Sequence, residues 1–383
     1  MASLITRNLR SGAARQTLTG LDVEPGFVSA ARVSVNGRVV VEQAAGVPLA
    51  GDVLREGEVN DVPALAEALR ELFKGGFDKR VRIGLASQRV VLRTLELPPI
   101  DDRKEMAAAV RFQAEDQVPM PLASAVLDFH PLGISETPNG PRLRVAVVAA
   151  QRELVERLLS AARLAGLRPE SVDLSAFALI RALQPLQPRD DDAAVVYLSV
   201  GGLTNMAVAN GTICVFTRVL GGGLEAIATQ VAERRGIQLA AARELCMGIG
   251  VDPERPTRAA RPTTMDEITG GGDAHPATPD APAADAAEAE VRSVIAAGVR
   301  EIATEVRNSL DFHVAQGAEA LPSRVVLSGA AAEVPGFPER LAAELDMPVS
   351  TSLVAAPKAG TLSGVSPSRL SVAAGLAIEE APR

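Results

Sequence analysis

Residues 20–41 read GLDVEPGFVSAARVSVNGRVVV, and residues 195–220 read VVYLSVGGLTNMAVANGTICVFTRVL. Each holds a β-rich run, a glycine-containing turn, a second run, an Asn-Gly pair and a third run. Asn36-Gly37 and Asn210-Gly211 predict hairpins with a type I′ turn, whose two central residues both need φ > 0. A chain that opens each of its halves with the same three-strand unit is constrained to a duplicated, two-lobed α/β architecture.

The rest of the chain alternates helical and extended patterns. Residues 62–74 place Leu65, Leu69, Leu72 and Phe73 on one helical face and stop at Gly75-Gly76. An extended run, RVRIGLASQRVVLRTLELP, is broken by Pro98-Pro99. Asp102 and Glu105 then have the spacing of a capping box and open a helix to about Asp116, with Met106, Ala109, Val110 and Gln113 on one side. Extended runs at 124–132 and 142–149 enclose a Gly/Pro/Asn turn. Helices follow at 151–165 and 175–183, and QPLQPRDDD (184–192) has the composition of a hinge. Beyond the repeated unit, helices are expected near 223–235, 238–247, 288–316, 338–345 and 369–379, with extended runs at 324–328 and 349–354.

Residues 252–289 are rich in Pro, Gly, Ala and Asp, with only Met265 and Ile268 as large apolar residues. Such a segment buries too little surface to offset its ordering entropy, which predicts a disordered insertion. The expected layout is a flexible leader at 1–17, a first lobe at 18–183 with a small subdomain inserted at about 84–150, a hinge at 184–192, and a second lobe at 193–383 holding the insertion.

Composition excludes several function classes. A net charge of −8, with 39 basic against 47 acidic residues and no basic face, argues against nucleic acid. The absence of Trp and the single Tyr remove stacking platforms for single strands. No apolar run approaches the ~20 residues of a membrane-spanning helix, and the first twenty residues lack the apolar centre of a secretory signal. Cys214 and Cys246 are too few for a disulfide framework and read as small buried residues of a reduced, cytoplasmic compartment. The histidines 130, 275 and 313 sit in unrelated contexts without carboxylates at ligand spacing, so no metal site is predicted. There is no G-x-S-x-G, P-loop or H-E-x-x-H. The glycine turns LSVGG (198–202) and LSGAA (327–331) are the places where backbone N–H groups could approach a phosphate or base.

Taken together, the order of elements resembles the actin-like ATPase superfamily, which has a ribonuclease H-like fold in each lobe. Within it the chain is similar to the PilM family of type IV pilus assembly proteins, relatives of the division protein FtsA. The two β units lie where that family has its phosphate loops, and LSGAAAEVPGF (327–337) lies where it has its adenosine loop. Residues 89–132 resemble the family's small extra subdomain and 154–183 the stretch after it. EIATEVRNSLDFHVAQ (301–316) and RLSVAAGLAI (369–378) resemble its late helices. The resemblance covers nearly all of the chain apart from the leader and the insertion. It implies an α/β, two-lobed actin-like fold with a small inserted α+β subdomain, and ATP with Mg²⁺ as ligands of the cleft.

The departures bear on that chemistry. The first phosphate loop is expected to read roughly D-I-G-x-x-x-V-K. Asp22 is kept, but Glu24 replaces the glycine and Ser29 the lysine. A glutamate there adds like charge where a triphosphate would bind. In the second loop the expected acid falls at Ser199, leaving Gly201, Gly202, Thr204 and Asn205. The adenosine helix motif A-E-x-x-K appears as Ala242, Arg243 and Cys246, and the adenosine loop has Gly329 followed by Ala330 in place of a glycine pair. Four altered elements argue against Mg²⁺-dependent hydrolysis and for a cleft that needs no cofactor. Asp22 reads either as a turn-capping residue or, with Gly201, Gly202, Thr204, Asn205 and Gly329, as a vestigial nucleotide site. No catalytic residue is assigned.

The resemblance implies a scaffold at the inner-membrane complex of a type IV pilus machine. It would be held at the membrane by the short cytoplasmic N-terminal peptide of a PilN-like bitopic protein, alongside other pilus assembly components, with a homo-oligomer left open. A groove between the first lobe and its subdomain is the expected dock, with Leu95, Leu97, Pro98, Met106 and Val110 as candidate contacts, although the same residues fit a subdomain core. The alternative is an active, filament-forming nucleotide switch of the FtsA type. That reading needs the cleft to hold Mg-ATP, and for membrane attachment an amphipathic C-terminal helix that AIEEAPR does not supply. A small-molecule kinase of the same superfold would need a catalytic base that cannot be placed. The cytoplasmic part of a type II secretion protein would carry a membrane span.

Overall fold

A computed structural model of the chain describes residues 18–35, 38–138, 140–184, 193–251, 281–317, 320–356 and 362–378. The leader 1–17, the Asn36-Gly37 pair, hinge residues 185–192, insertion residues 252–280 and His275 lie outside the described residues.

The two predicted β units both form. In the first, β1 (Thr19–Glu24), β2 (Phe27–Val35) and β3 (Val39–Pro48) pair antiparallel in sequence order. The second unit, given its chain-order labels, has β11 (Ala194–Val200), β12 (Thr204–Asn210) and β13 (Ile213–Leu220) paired in the same way. The duplication extends to the irregularities. Each unit slips register once between its second and third strands, at Arg32/Val33 and at Val208/Ala209. One prediction fails: Asn210 pairs with Ile213, so the second hairpin's loop is Gly211-Thr212. Among its residues φ is positive at Gly211 alone (56°), which rules out a type I′ turn.

Between the units, β4 (Leu54–Arg55) and β5 (Glu58–Val59) make a small hairpin. Helix α1 (Val62–Phe73) starts where Asp61 accepts the Ala64 N–H at 2.9 Å and buries Leu65, Ala66, Leu69 and Leu72. The long extended run after it splits between two sheets. β6 (Arg80–Leu85) joins the first lobe beside β1, while β7 (Val90–Leu97) begins the subdomain. There α2 (Arg103–Gln117), capped by the Asp102 carboxylate on the N–H groups of Lys104 and Glu105, covers a sheet of order β7-β9-β8, with β8 at Ala125–Thr137 and β9 at Gly140–Gln151. The chain returns through α3 (Arg152–Leu164), β10 (Arg168–Leu174) and α4 (Ser175–Leu183).

The second lobe adds α5 (Leu224–Arg235), α6 (Leu239–Ile249), α7 (Ala281–Ala315), β14 (Pro322–Ser328), α8 (Phe337–Leu345) and β15 (Val349–Thr351) to a sheet of order β13-β12-β11-β14-β15. α7 starts seven residues earlier than the periodicity suggests, so residues 281–289 of the expected disordered insertion are helical. Their six alanines favour a helix even where no large apolar side chain marks one.

The chain does not stay in the second lobe to its end. β16 (Leu362–Ser363) pairs in parallel with β3, completing the first-lobe order β10-β6-β1-β2-β3-β16. The last helix, α9 (Ser371–Ala377), lies with α4 between the two sheets. There Ala373, Ala374 and Leu376 share one core with Ala31, Ala178 and Leu179 of the first lobe and Tyr197, Ala207 and Ala209 of the second. Gly20 and Gly375 let backbones touch at this wedge, since a Cβ on either would stand 1.9 Å from the Ala373 carbonyl oxygen or 1.8 Å from that of Ala178. The Arg82 guanidinium donates to the carbonyls of Leu376 and Ile378. Separate cores fill the outer faces of the two sheets.

Candidate functional site

The predicted site residues fall into two places, an inter-lobe cleft and the subdomain. Strand alternation decides what faces the cleft. Leu21 and Val23 of β1 point into the outer core of the first lobe, so Asp22 and Glu24 turn toward the second lobe. Tyr197 and Ala207 belong to the inter-lobe core, so Ser199 and Asn205, in phase with them, face the same cleft. Thr204, one residue out of phase, turns the other way and is fully buried.

The structure therefore brings Asp22, Asn205, Gly201 and Gly202 to one cleft, and the turns of the two units touch directly. The backbone N–H of Gly202 donates to Glu24 Oε2 at 2.8 Å, and Arg369 Nη1 stands 3.4 Å from Glu24 Oε1. A Cβ on Gly202 would lie 1.9 Å from the Pro25 carbonyl oxygen. Enclosure, and then the neighbouring charge of Glu24, raise the Asp22 carboxyl to about 8. Glu24 is itself raised by burial and by Glu225, against the lowering effects of Arg369 and the Gly202 N–H.

The other nucleotide positions have structural partners. Arg243 pairs with Glu225, its Nε 2.8 Å from Oε2. Ala242 and Cys246 are buried in the second-lobe core, where burial lifts the Cys246 thiol to about 11. Gly329, at φ 86°, supplies a close approach to the backbone of Val200 and donates its N–H to the Ser368 carbonyl at 2.9 Å. Two cleft side chains keep free hydrogen-bonding capacity, with both amide atoms of Asn205 and the hydroxyl of Ser175 buried without a partner; the Thr204 hydroxyl, on the other side of its strand, is likewise unpartnered. Among the described residues no group of three or more His, Cys, Asp or Glu side chains could hold a metal ion. None of their helices is long and apolar enough to cross a membrane.

In the subdomain, four of the five candidate contacts are core. Leu95, Leu97, Met106 and Val110 pack together against Leu143, Val145 and Val147, and only Pro98 is exposed. Their alternation along β7 and i,i+4 spacing on α2 turn them inward, so they hold the subdomain together. The junction with the first lobe is also closed: Val148 and Ala150 of β9 are buried in the first-lobe core, and Arg89 pairs with Glu58 of β5 at 2.9 Å.

An open groove lies instead where β7, an edge strand of the subdomain sheet that β13 of the second lobe also approaches, meets α2. Its volume is about 470 Å³, and Leu95, Glu96, Phe112, Gln113 and Asp116 line it. Phe112 is 75% exposed, the most exposed large apolar side chain described. Glu96 and Asp116 are exposed and give the groove an acidic character. Of these, the sequence marked Leu95 as a candidate contact but not Glu96, Phe112 or Asp116. The available signal was Phe112, the lone aromatic on α2, out of phase with its Met106–Val110 face. An edge strand beside a groove offers backbone donors and acceptors to an extended peptide.

The family model described as type IV pilus assembly protein PilM matches residues 20–246. Among solved structures, a chain of a PilM-PilN type IV pilus biogenesis complex superposes with a TM-score of 0.73 at 24% identity, covering 95% of this chain and 98% of that one. The ethanolamine utilization protein EutJ from Carboxydothermus hydrogenoformans gives 0.52 at 14% identity, covering 95% and 90%. These likenesses are of fold, over both lobes and the subdomain.

Proposed function

The chain belongs to the PilM family of type IV pilus assembly proteins and has the actin-like fold, and from that premise we propose that it is a scaffold that docks a short cytoplasmic peptide of a PilN-like inner-membrane protein. The observation that carries the reading is the open groove between β7 and α2. A peptide lying along β7 adds main-chain hydrogen bonds at the edge, and Phe112 supplies an apolar anchor. Glu96 and Asp116 suit basic residues, which cytoplasmic segments next to a membrane span carry in excess. The protein is then cytoplasmic and peripheral, held at the inner membrane by its partner.

The cleft is read as non-hydrolytic and in need of no cofactor. Glu24 holds the backbone N–H of Gly202 that a phosphate would use, and Arg243 is committed to Glu225. Asp22, raised toward neutrality beside Glu24, is poorly suited to place Mg²⁺ or an attacking water. One observation favours the rival nucleotide-switch reading, the unpartnered amide of Asn205 in the cleft. A ligand there would satisfy it.

Calorimetry of the full chain with a synthetic peptide of the partner's cytoplasmic N-terminus tests the proposal. Binding is expected, with Phe112→Ala at least tenfold weaker and a Glu96→Gln/Asp116→Asn double variant losing most of the salt dependence. Equal affinity in all three proteins would reject the groove. Heat with Mg-ATP and none with the peptide would favour the nucleotide switch.

A further inference from the structure

Glu24 stands where the family's first phosphate loop is expected to have glycine, and its carboxylate does not point to solvent. Oε2 accepts the Gly202 N–H at 2.8 Å, and Oε1 is 3.4 Å from Arg369 Nη1. The fit is close: a Cβ on Gly201 would lie 2.1 Å from Oε2, so the carboxylate rests against the glycine backbone of the second-lobe turn. Arg369 is fixed in turn, its guanidinium carbon 4.4 Å from the centroid of the Phe27 ring. A backbone N–H and a guanidinium converging on one carboxylate form the same donor set that an anion cradle offers a phosphoryl group.

The neighbouring charges make this placement unfavourable unless those donors hold it. Asp22 precedes it on the same cleft-facing side of β1. Glu225 approaches from α5, so close to Gly26 that a Cβ there would be 2.7 Å from its Oε2, and its own partner Arg243 comes from α6. The acid is therefore balanced by groups from the second-lobe turn and from the C-terminal segment before α9.

We propose that Glu24 is a resident anion: its carboxylate occupies the cradle formed by the Gly202 N–H and Arg369 and latches the two lobes together without a nucleotide. An incoming phosphate has to displace it and meet the charge it leaves nearby. Docking at the subdomain groove is in consequence independent of ATP. The inference rests on the reading of the cleft as non-hydrolytic but not on the identity of the docked peptide.

The test uses the full chain with spin labels on Glu67→Cys in α1 and Glu301→Cys in α7, exposed positions on opposite lobes, in otherwise wild-type, E24G and E24Q backgrounds. Inter-lobe distances are read by pulsed dipolar spectroscopy, and binding of pyrophosphate and of Mg-ATP by calorimetry. The wild type should give one narrow distance distribution, unchanged by either ligand, and no heat. E24G should broaden the distribution, gain at least tenfold in pyrophosphate affinity and narrow again when the anion binds. If E24G does not fold, E24Q carries the test. Its amide still accepts the Gly202 N–H but loses the ion pair with Arg369, and a partly broadened distribution is expected. A silent wild type with unchanged distances and no gained affinity in the folded variant overturns the latch alone. Mg-ATP binding in the wild type overturns the latch and the reading of the cleft as in need of no cofactor together, while leaving peptide docking standing.

Discussion

Replacing Gly20 by alanine tests whether the last helix is the wedge on which the two lobes close. The new Cβ would stand 1.9 Å from the Ala373 carbonyl oxygen, 2.6 Å from the Ala377 nitrogen and 2.9 Å from the Leu376 Cβ. All three belong to α9, and two are backbone atoms that no rotamer change can move. Reaching an ordinary contact of 3.4 Å needs α9 to retreat by about 1.5 Å (3.4 − 1.9) from β1. Forcing a methyl into a filled core costs about 1–3 kcal/mol. The retreat also stretches the Arg82 hydrogen bonds to Leu376 and Ile378 at the C-terminal end of the helix, bonds of a charged donor worth about 1.5–3 kcal/mol. Because strain and stretch are alternative ways of relieving one clash, the expected loss is about 3 kcal/mol, or roughly a hundredfold in the folding equilibrium. Urea denaturation should show a lower midpoint at unchanged slope. Gly248→Ala is the control: no atom lies within 4 Å of its added Cβ in α6, so it should be neutral or stabilise by up to about 1 kcal/mol. A Gly20→Ala protein as stable as the wild type would refute the close docking of α9 on the first lobe.

Asp22 and Asp173 yield two further expectations. The Asp22 carboxyl is raised in the fold from 3.8 to about 8, so the folded state favours its protonated form. Stability from that group is fully present below about pH 4 and is lost as pH rises toward 8. Asp22→Asn should thus gain melting temperature over the wild type progressively between pH 5 and pH 8, and a pH-independent difference would contradict the shift. Asp173, its side chain 4% exposed, pairs with Arg181, which also donates to the Gly375 carbonyl of α9 at 3.1 Å. Asp173→Ala leaves an enclosed guanidinium without its counter-charge and should lower stability by about 3 kcal/mol, measured by the same urea titration.

Local patterns were the legible part of this fold. The duplicated β units, the Asp61 and Asp102 caps and the apolar faces of α1, α2 and α3 follow from residues within a few positions of one another. What escaped depends on distant partners. β10 reads RPESVDL, with no alternating apolar pattern, and becomes a strand because β6 offers it an open edge. β16 has only two residues and exists through its pairing with β3. The candidate site divides in the same way. Glu24 is plainly an intruder in a phosphate loop, but its acceptor role depends on Gly202, 178 residues away. Leu95, Leu97, Met106 and Val110 have the spacing of a groove wall and of a core alike. Only the packing of α2 on the subdomain sheet decides for the core.

The most direct test of the account is hydrogen–deuterium exchange of the full chain with and without the partner's cytoplasmic N-terminal peptide. Docking at the subdomain groove predicts slowed exchange in β7, residues 90–97, and in α2, residues 103–117, with the cleft turns at 24–26 and 201–203 unchanged. Protection confined to the cleft turns, or no protection anywhere at saturating peptide, would contradict it.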